Sequence, residues 1–247
     1  MMNAIDTFSE TFCVTDSEGD CMRRMTPGAV LRRAQQVSTD HCTALGLDAA
    51  FYARTHTAFL MAKMVLEFYA PIQIGDKVTA TTRPSEPVRA TYHRTNAFTL
   101  EDGTLACLMD SRWVLVDTDT RRILRHPPEA LRPFFHLPPS GELDLKVDRG
   151  AAEPVGTERA SYTRCDSNRH MNNTYYADIV CDHVPVEMLE QRPVQRLAVN
   201  FHNEVPMGSS FTLLRAALGD GNWYFLGQGE GEKKHFEAQL TLAPAAR

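Results

Sequence analysis

Between residues 165 and 176 the chain reads Cys-Asp-Ser-Asn-Arg-His-Met-Asn-Asn-Thr-Tyr-Tyr. Asp166, Asn168 and His170 alternate there, and Glu204 follows later in Asn-Phe-His-Asn-Glu-Val-Pro-Met-Gly. An imidazole beside a carboxylate gains basicity and can activate water near neutral pH. An amide orients that water or a substrate carbonyl. A helix starting near Asn173 offers free N–H groups to a developing oxyanion. Such a set suits hydrolysis of an activated acyl group. The residue types leave open whether His170 or Glu204 takes the proton, or whether a carboxylate attacks first.

Each residue alone has a plainer explanation. An Asp before a helix usually caps it or closes an Asx-turn, and Asn172 and Asn173 invite the same reading. One histidine among nine is ordinarily exposed or satisfied. Glu204, read as a strand residue before a Gly turn, would face solvent. The argument rests on their concurrence. Cys165, His170, Cys181 and His183 suggest a metal, but they fit no compact zinc spacing, and a helix sets Cys181 and His183 on different faces. A cysteine nucleophile stays open in principle. No Gly-x-Ser-x-Gly elbow is present.

The elements that must hold these residues emerge from self-similarity. Phe68–Thr79 (Phe-Tyr-Ala-Pro-Ile-Gln-Ile-Gly-Asp-Lys-Val-Thr) lines up with Phe201–Thr212 (Phe-His-Asn-Glu-Val-Pro-Met-Gly-Ser-Ser-Phe-Thr) at a constant offset of 133. A helical pattern precedes each copy. In the first, Thr26 caps, Pro27 suits the first helical position, Gly46 ends it, and Val30, Ala34, Val37 and His41 form the apolar stripe. In the second, Asn172 or Asn173 caps, and Tyr176, Ile179, Val180 and Val184 form the stripe. Alternating strand-like runs follow: 77–82, 90–100 and 104–116 in the first half, and 210–217, 223–227 and 235–242 in the second. Each half therefore reads as a strand, one long helix and several antiparallel strands, an α+β unit whose curled sheet wraps the helix. The Pro-, Gly- and charge-rich stretch 126–156 reads as an irregular crossover. The expected division is a first unit over 1–130, a linker over 131–156 and a second unit over 157–247.

The two copies differ where chemistry would sit. Asp16-Ser17-Glu18-Gly19-Asp20 is the expected counterpart of 166–170, at an offset of 150. Glu18 and Asp20 then replace Asn168 and His170, and Pro71 stands opposite Glu204. The full polar set belongs to the second half alone.

Composition narrows the classes further. A net charge of -5 over 247 residues argues against a nucleic-acid-wide basic surface. Six cysteines without C-x-x-C spacing suit free thiols in a reducing compartment. The N-terminal residues show no signal-peptide pattern. The most apolar stretch, 58–74, is interrupted by Lys63 and Glu67 and is too short and polar to span a bilayer. The expectation is a soluble cytoplasmic protein that neither binds nucleic acid nor inserts into a membrane.

The duplicated organisation, with Asp-Ser-Asn-Arg-His-Met-Asn-Asn-Thr-Tyr-Tyr opening the second unit, resembles the acyl-acyl carrier protein thioesterases of plants and bacteria. Their D-x-N-x-H-x-N-N-x-x-Y pattern is met by Asp166, Asn168, His170, Asn172, Asn173 and Tyr176. Their Glu before a Gly turn is met by Glu204, and Trp113 lies in a strand and turn similar to theirs. The resemblance implies a tandem hot-dog fold and hydrolysis of fatty acyl thioesters on acyl carrier protein, without metal or organic cofactor. It assigns Asp166, Asn168, His170 and Glu204 to catalysis. Plant members often place a Cys directly after the Glu; here that position is Val205, so chemistry cannot depend on that thiol. The resemblance also puts the acyl chain in the first unit, with Met61, Met64, Leu66 and Phe68 as wall residues, although each also suits plain core packing. An acidic carrier protein would dock on basic side chains such as Arg164, Arg169 and the cluster Arg121, Arg122 and Arg125. A coenzyme A thioesterase of the same fold and a catalytically silent acyl-binding module are the alternatives. A homodimer and the preferred chain length are left open.

Overall fold

The computed structural model describes residues 6–245. Ten strands form one antiparallel sheet: β1 (Phe8–Cys13), β2 (Thr57–Phe68), β3 (Lys77–Val88), β4 (Thr91–Leu100), β5 (Leu105–Asp117), β6 (Glu153–Arg159), β7 (Val194–Phe201), β8 (Ser210–Gly219), β9 (Asn222–Gln228) and β10 (Lys234–Leu242). Their order is β1-β3-β4-β5-β2-β7-β10-β9-β8-β6. The first five and last five are thus mirror images in order, and they meet at β2 and β7. There Lys63 to Glu67 pair with Asn200 to Arg196. Val65 faces Ala198, its own counterpart at the offset of 133, so the internal two-fold passes through this pair.

Helix α1 (Pro27–Ala44) lies in the first unit, and its hydrogen bonds explain its limits. The Thr26 hydroxyl accepts the Ala29 N–H, Pro27 opens the first turn, and Gly46 follows the end at φ +75. Val30, Ala34, Val37 and His41 are buried as the spacing requires. The equivalent helix of the second unit, α3 (Tyr175–Asp182), has eight residues against eighteen, and Thr174 rather than an asparagine precedes it. The two helices lie so close that a Cβ on Gly28 would fall 1.8 Å from the Asp178 carboxylate. Arg32 reaches that carboxylate at 2.7 Å. One core runs through both units, joining Val30, Met64 and Phe98 to Tyr176, Leu197 and Phe236.

The expected strands are present within a few residues, and β3 continues past Thr82 through Pro84. Strands β2 and β7 were not resolved by alternation. As central strands they are buried on both faces, and Val65 and Leu66 are both inaccessible. The short helices α2 (Ala49–Thr55) and α4 (Val186–Gln191) also escaped the sequence reading.

The connection between units is irregular apart from a 3-10 turn at Glu129–Phe134. Its first part packs beside α2, where Leu131 joins Leu47 and Phe51, and from Leu143 onward it crosses the opposite sheet face. The Leu143 N–H donates to Asp110, Arg196 donates to the carbonyls of Asp144 and Lys146, and Arg149 reaches Glu237. Residues 153–156, assigned to the linker from sequence, belong to β6. No described helix is long and apolar enough to cross a membrane.

Candidate active site

A tight turn over 166–170 builds the site. Asp166 Oδ1 accepts the N–H groups of Asn168 at 2.9 Å and His170 at 3.3 Å, and the Asp166 N–H donates to the His170 carbonyl. Arg169 takes a φ of +63 to close it. The Met171 N–H then donates to the Val205 carbonyl, and the Met207 N–H to the Arg169 carbonyl. These bonds lash the turn to the loop after β7. Glu204 lies in that loop, not in a strand as expected. The chain leaves the ladder at Phe201, because the His202 and Asn203 N–H groups both turn to the His235 carbonyl. The result brings His170 Nε2 to 3.4 Å from Glu204 Oε2, with both side chains reachable by water.

The first unit contains the same turn, but not where the sequence placed it. Asp20 Oδ1 accepts the N–H groups of Met22 and Arg24, and Arg23 takes φ +65. The Met25 N–H donates to the Ile72 carbonyl, and the Ile74 N–H to the Arg23 carbonyl. Asp20–Thr26 is therefore the counterpart of Asp166–Asn172, at an offset of 146 rather than 150. Asp16–Glu18 forms a 3-10 turn matching the one at Tyr162–Arg164. Shared Asp, Arg and Met in Asp-Cys-Met-Arg-Arg-Met and Asp-Ser-Asn-Arg-His-Met are the signal for this register. Met22, Arg24 and Pro71 stand where the second unit has Asn168, His170 and Glu204. The polar set is thus confined to the second unit, as the sequence indicated.

Two expected oxyanion donors are occupied. Asn172 Oδ1 accepts from the Thr174 N–H, and the Asn172 carbonyl accepts from the Tyr175 N–H. Asn168 and Asn173 instead line a cavity of about 610 Å³. That cavity lies in the first unit, under α1 and α2 and against β2, β4 and β5; Asn168, Asn173 and Thr174 are the second unit's contribution to it. Met61 and Met64 line it. A ladder irregularity between Met61 and Lys63 places Ala62 as an extra residue, which keeps both methionines on one face. Leu66 and Phe68 do not line it. Leu66 lies further along β2, fully buried in the core shared by both units, and Phe68 borders a separate pocket of about 270 Å³ beside Asp20 and Arg24.

The sequence reading also missed Tyr52, Arg94, Asn96, Ser111 and Trp113 in the cavity wall. Arg94 and Asn96 alternate as polar residues on one face of a strand, a signal present in the sequence that does not say which face turns inward. The two cysteines nearest the turn and α3 offer no ready nucleophile. Desolvation, with Asp166 nearby, pushes the Cys165 thiol above its usual range, and burial does the same to Cys181 more strongly.

Two helix-bearing antiparallel units sharing one sheet, with a cavity under the longer helix, define a tandem hot-dog protein. Residues 5–134 match the family model of the acyl-ACP thioesterase N-terminal domain, and residues 157–241 match that of the C-terminal domain. The chain belongs to the acyl-ACP thioesterase family. It is 22% identical over 220 residues to oleoyl-acyl carrier protein thioesterase 1 of Arabidopsis thaliana, covering 80% of this chain and 60% of that one. It spans about half the length of several other curated relatives that it matches. An acyl-ACP thioesterase from Bacteroides thetaiotaomicron superimposes with a TM-score of 0.88 at 17% identity, covering 98% of this chain and 100% of that one. A putative oleoyl thioesterase from Lactobacillus plantarum gives 0.88 at 22% identity, covering 100% and 99%. These structures share the fold.

Proposed function

We propose that the chain hydrolyses an acyl thioester, with the acyl group in the first unit's cavity and its carbonyl against the turn at 166–170. The observation that carries this reading is the His170–Glu204 contact on a turn whose Asn168 lines the cavity. Water held by the pair adds to the carbonyl carbon and gives up its proton to them. Collapse of the tetrahedral adduct breaks the C–S bond, and the departing thiolate takes the proton back. Asn168 orients the carbonyl or the water. Asp166 acts through the backbone, because its carboxylate holds the turn that aims the imidazole.

Membership of the family favours acyl carrier protein over coenzyme A as the carrier, with free fatty acid as product. Of the basic side chains near the turn, Arg164 is paired with Glu158 at 2.7 Å, which leaves the exposed Arg169 better placed to meet an acidic carrier. A cytoplasmic setting, which six free thiols favour, belongs to the same proposal.

Release of free acid from medium- and long-chain acyl carrier protein, beside the matching coenzyme A thioesters, tests the reading. His170→Ala and Glu204→Ala are each expected to lower kcat by about 100-fold or more, and Cys165→Ser to retain it. Full turnover in His170→Ala would overturn the mechanism. Tight binding without product would make the protein an acyl-binding module.

A further inference from the structure

The cavity that would hold the acyl chain is not a plain hydrocarbon slot. Arg94 lines it while only 9% exposed. Its guanidinium donates to the Thr82 hydroxyl at 3.0 Å and to Cys42 Sγ at 3.6 Å, and meets His41 Nδ1 at 3.3 Å. Among the described residues no carboxylate pairs with it. Beside it the Asn96 amide donates to the Ser38 hydroxyl, and the Ser111 hydroxyl donates to the Arg94 carbonyl. A buried cation without a counter-ion is costly, and burial correspondingly lowers the guanidinium's hold on its proton. A methylene chain laid against it would strip its remaining hydration and return nothing.

The duplicated unit shows what the fold itself needs at these positions. Met64 of β2 faces Ser111, and Ser111 faces Arg94. In the second unit the equivalent Leu197 faces Leu240, and Leu240 faces Trp223. One step along, Asn96 corresponds to Phe225 by the same register. Arginine, asparagine and serine thus replace tryptophan, phenylalanine and leucine. The second unit fills that space with apolar side chains, of which Phe225 and Leu240 are inaccessible; the first opens it and lines it with hydrogen-bonding groups. Arg32 of α1 touches α3 through Asp178, whereas His41 and Cys42 of α1 meet Arg94. The Arg94 guanidinium therefore lies roughly 15 Å along the helix from the side that touches α3, at 1.5 Å per residue. Asn96, which donates to the Ala34 carbonyl and to Ser38, lies nearer.

We propose that this cavity selects acyl groups that carry a hydrogen-bond-accepting oxygen, foremost a carboxylate, deep along the chain, and that Arg94 is the residue that reads it. The inference rests on the cavity being the acyl site, but it does not depend on catalysis. A dicarboxylic half-thioester would bring the missing counter-charge, and a hydroxy- or oxo-acyl chain would bring an acceptor without charge.

Binding of acyl analogues by the intact protein, followed by calorimetry, tests this apart from hydrolysis. The set is dodecanoate, ω-hydroxydodecanoate and dodecanedioate, each with one carboxyl masked as its N-methylamide, so that the near end is neutral and the same in all three. Wild-type protein is expected to bind dodecanedioate about tenfold more tightly than dodecanoate, with the ω-hydroxy acid between them. Arg94→Leu, checked for folding by its melting transition, should abolish or reverse that order, and Asn96→Leu should reduce it. Equal tightness of the hydroxy and dicarboxylic acids would still support selection, by acceptor rather than by charge. Wild-type preference for dodecanoate would overturn the proposal whatever the variants do, as would an unchanged order in a folded Arg94→Leu. Oxygenated acids binding selectively to a protein that releases no product would leave this inference standing and remove the thioesterase reading.

Discussion

Asp20 and Asp166 occupy the same place in the same turn, yet only one stands beside an imidazole. Each carboxylate accepts two backbone N–H groups, and Asp20 also holds the Arg24 guanidinium. Asp166→Ala should therefore destabilise the protein by about 1 kcal/mol, and Asp20→Ala by at least as much. Only Asp166→Ala should also lower turnover, since it loosens the loop that aims His170. Melting curves and kcat for the pair check this, and an equal loss of turnover in Asp20→Ala would contradict it. His170 and Glu204 stood out in the sequence through the difference between the two halves and the family resemblance, not through residue type alone, since other histidines such as His202 also meet carboxylates. The register of the first turn was not legible. Asp16-Ser17 matches Asp166-Ser167 in residue type, whereas the backbone needs Asp to take the N–H bonds, a positive φ at Arg and a Met to enter the core. Arg94 went unread for a related reason: its meaning depends on which strand face meets the cavity.

At the scale of elements, the Pro- and Gly-rich composition announced an irregular connection but not its course. That course is set by contacts far apart in sequence, and Glu237 of β10 shows how they work. Its fully buried carboxylate receives two bonds from Arg149 of the connection, one from the Tyr224 hydroxyl and a contact at 2.9 Å from His202, with Lys234 at 3.6 Å. Burial alone would raise its pKa, but these partners outweigh that and hold it at about 2, against an ordinary 4.5. A folded value below the unfolded one means stability that is complete above about pH 5 and lost as pH falls towards 2. The shift corresponds to a contribution on the order of 3 kcal/mol. Glu237→Gln should therefore unfold at lower urea concentration than wild type at neutral pH, and the gap should narrow below about pH 5. A gap that stayed constant across that range would show that the ion cluster is not its source.

Across the whole molecule, the family models and the repeated sequence divide the chain in two, but the sheet does not. Val65, Leu66, Leu197, Ala198 and Val199 are all inaccessible where β2 meets β7, and Gly28 of α1 packs against Asp178 of α3. Separating the units would expose two apolar central strands along their edges, a state that water and aggregation both disfavour. The proposed function points the same way, since the turn bearing His170 belongs to one unit and the cavity that its Asn168 lines belongs to the other. The two units should therefore unfold together. Each contains one tryptophan, Trp113 in β5 and Trp223 in β9, so Trp113→Phe and Trp223→Phe leave single reporters for each half. Their urea midpoints, each corrected for the small cost of its own substitution by circular dichroism on the same sample, should coincide with the loss of secondary structure. Val65→Asp, which puts an unpaired charge into the seam, should lower both midpoints together, by about 3 kcal/mol or more in stability. Should one tryptophan report unfolding while the other half keeps its signal, the units are independent domains. The site would then be assembled by docking two folded halves rather than by a single fold.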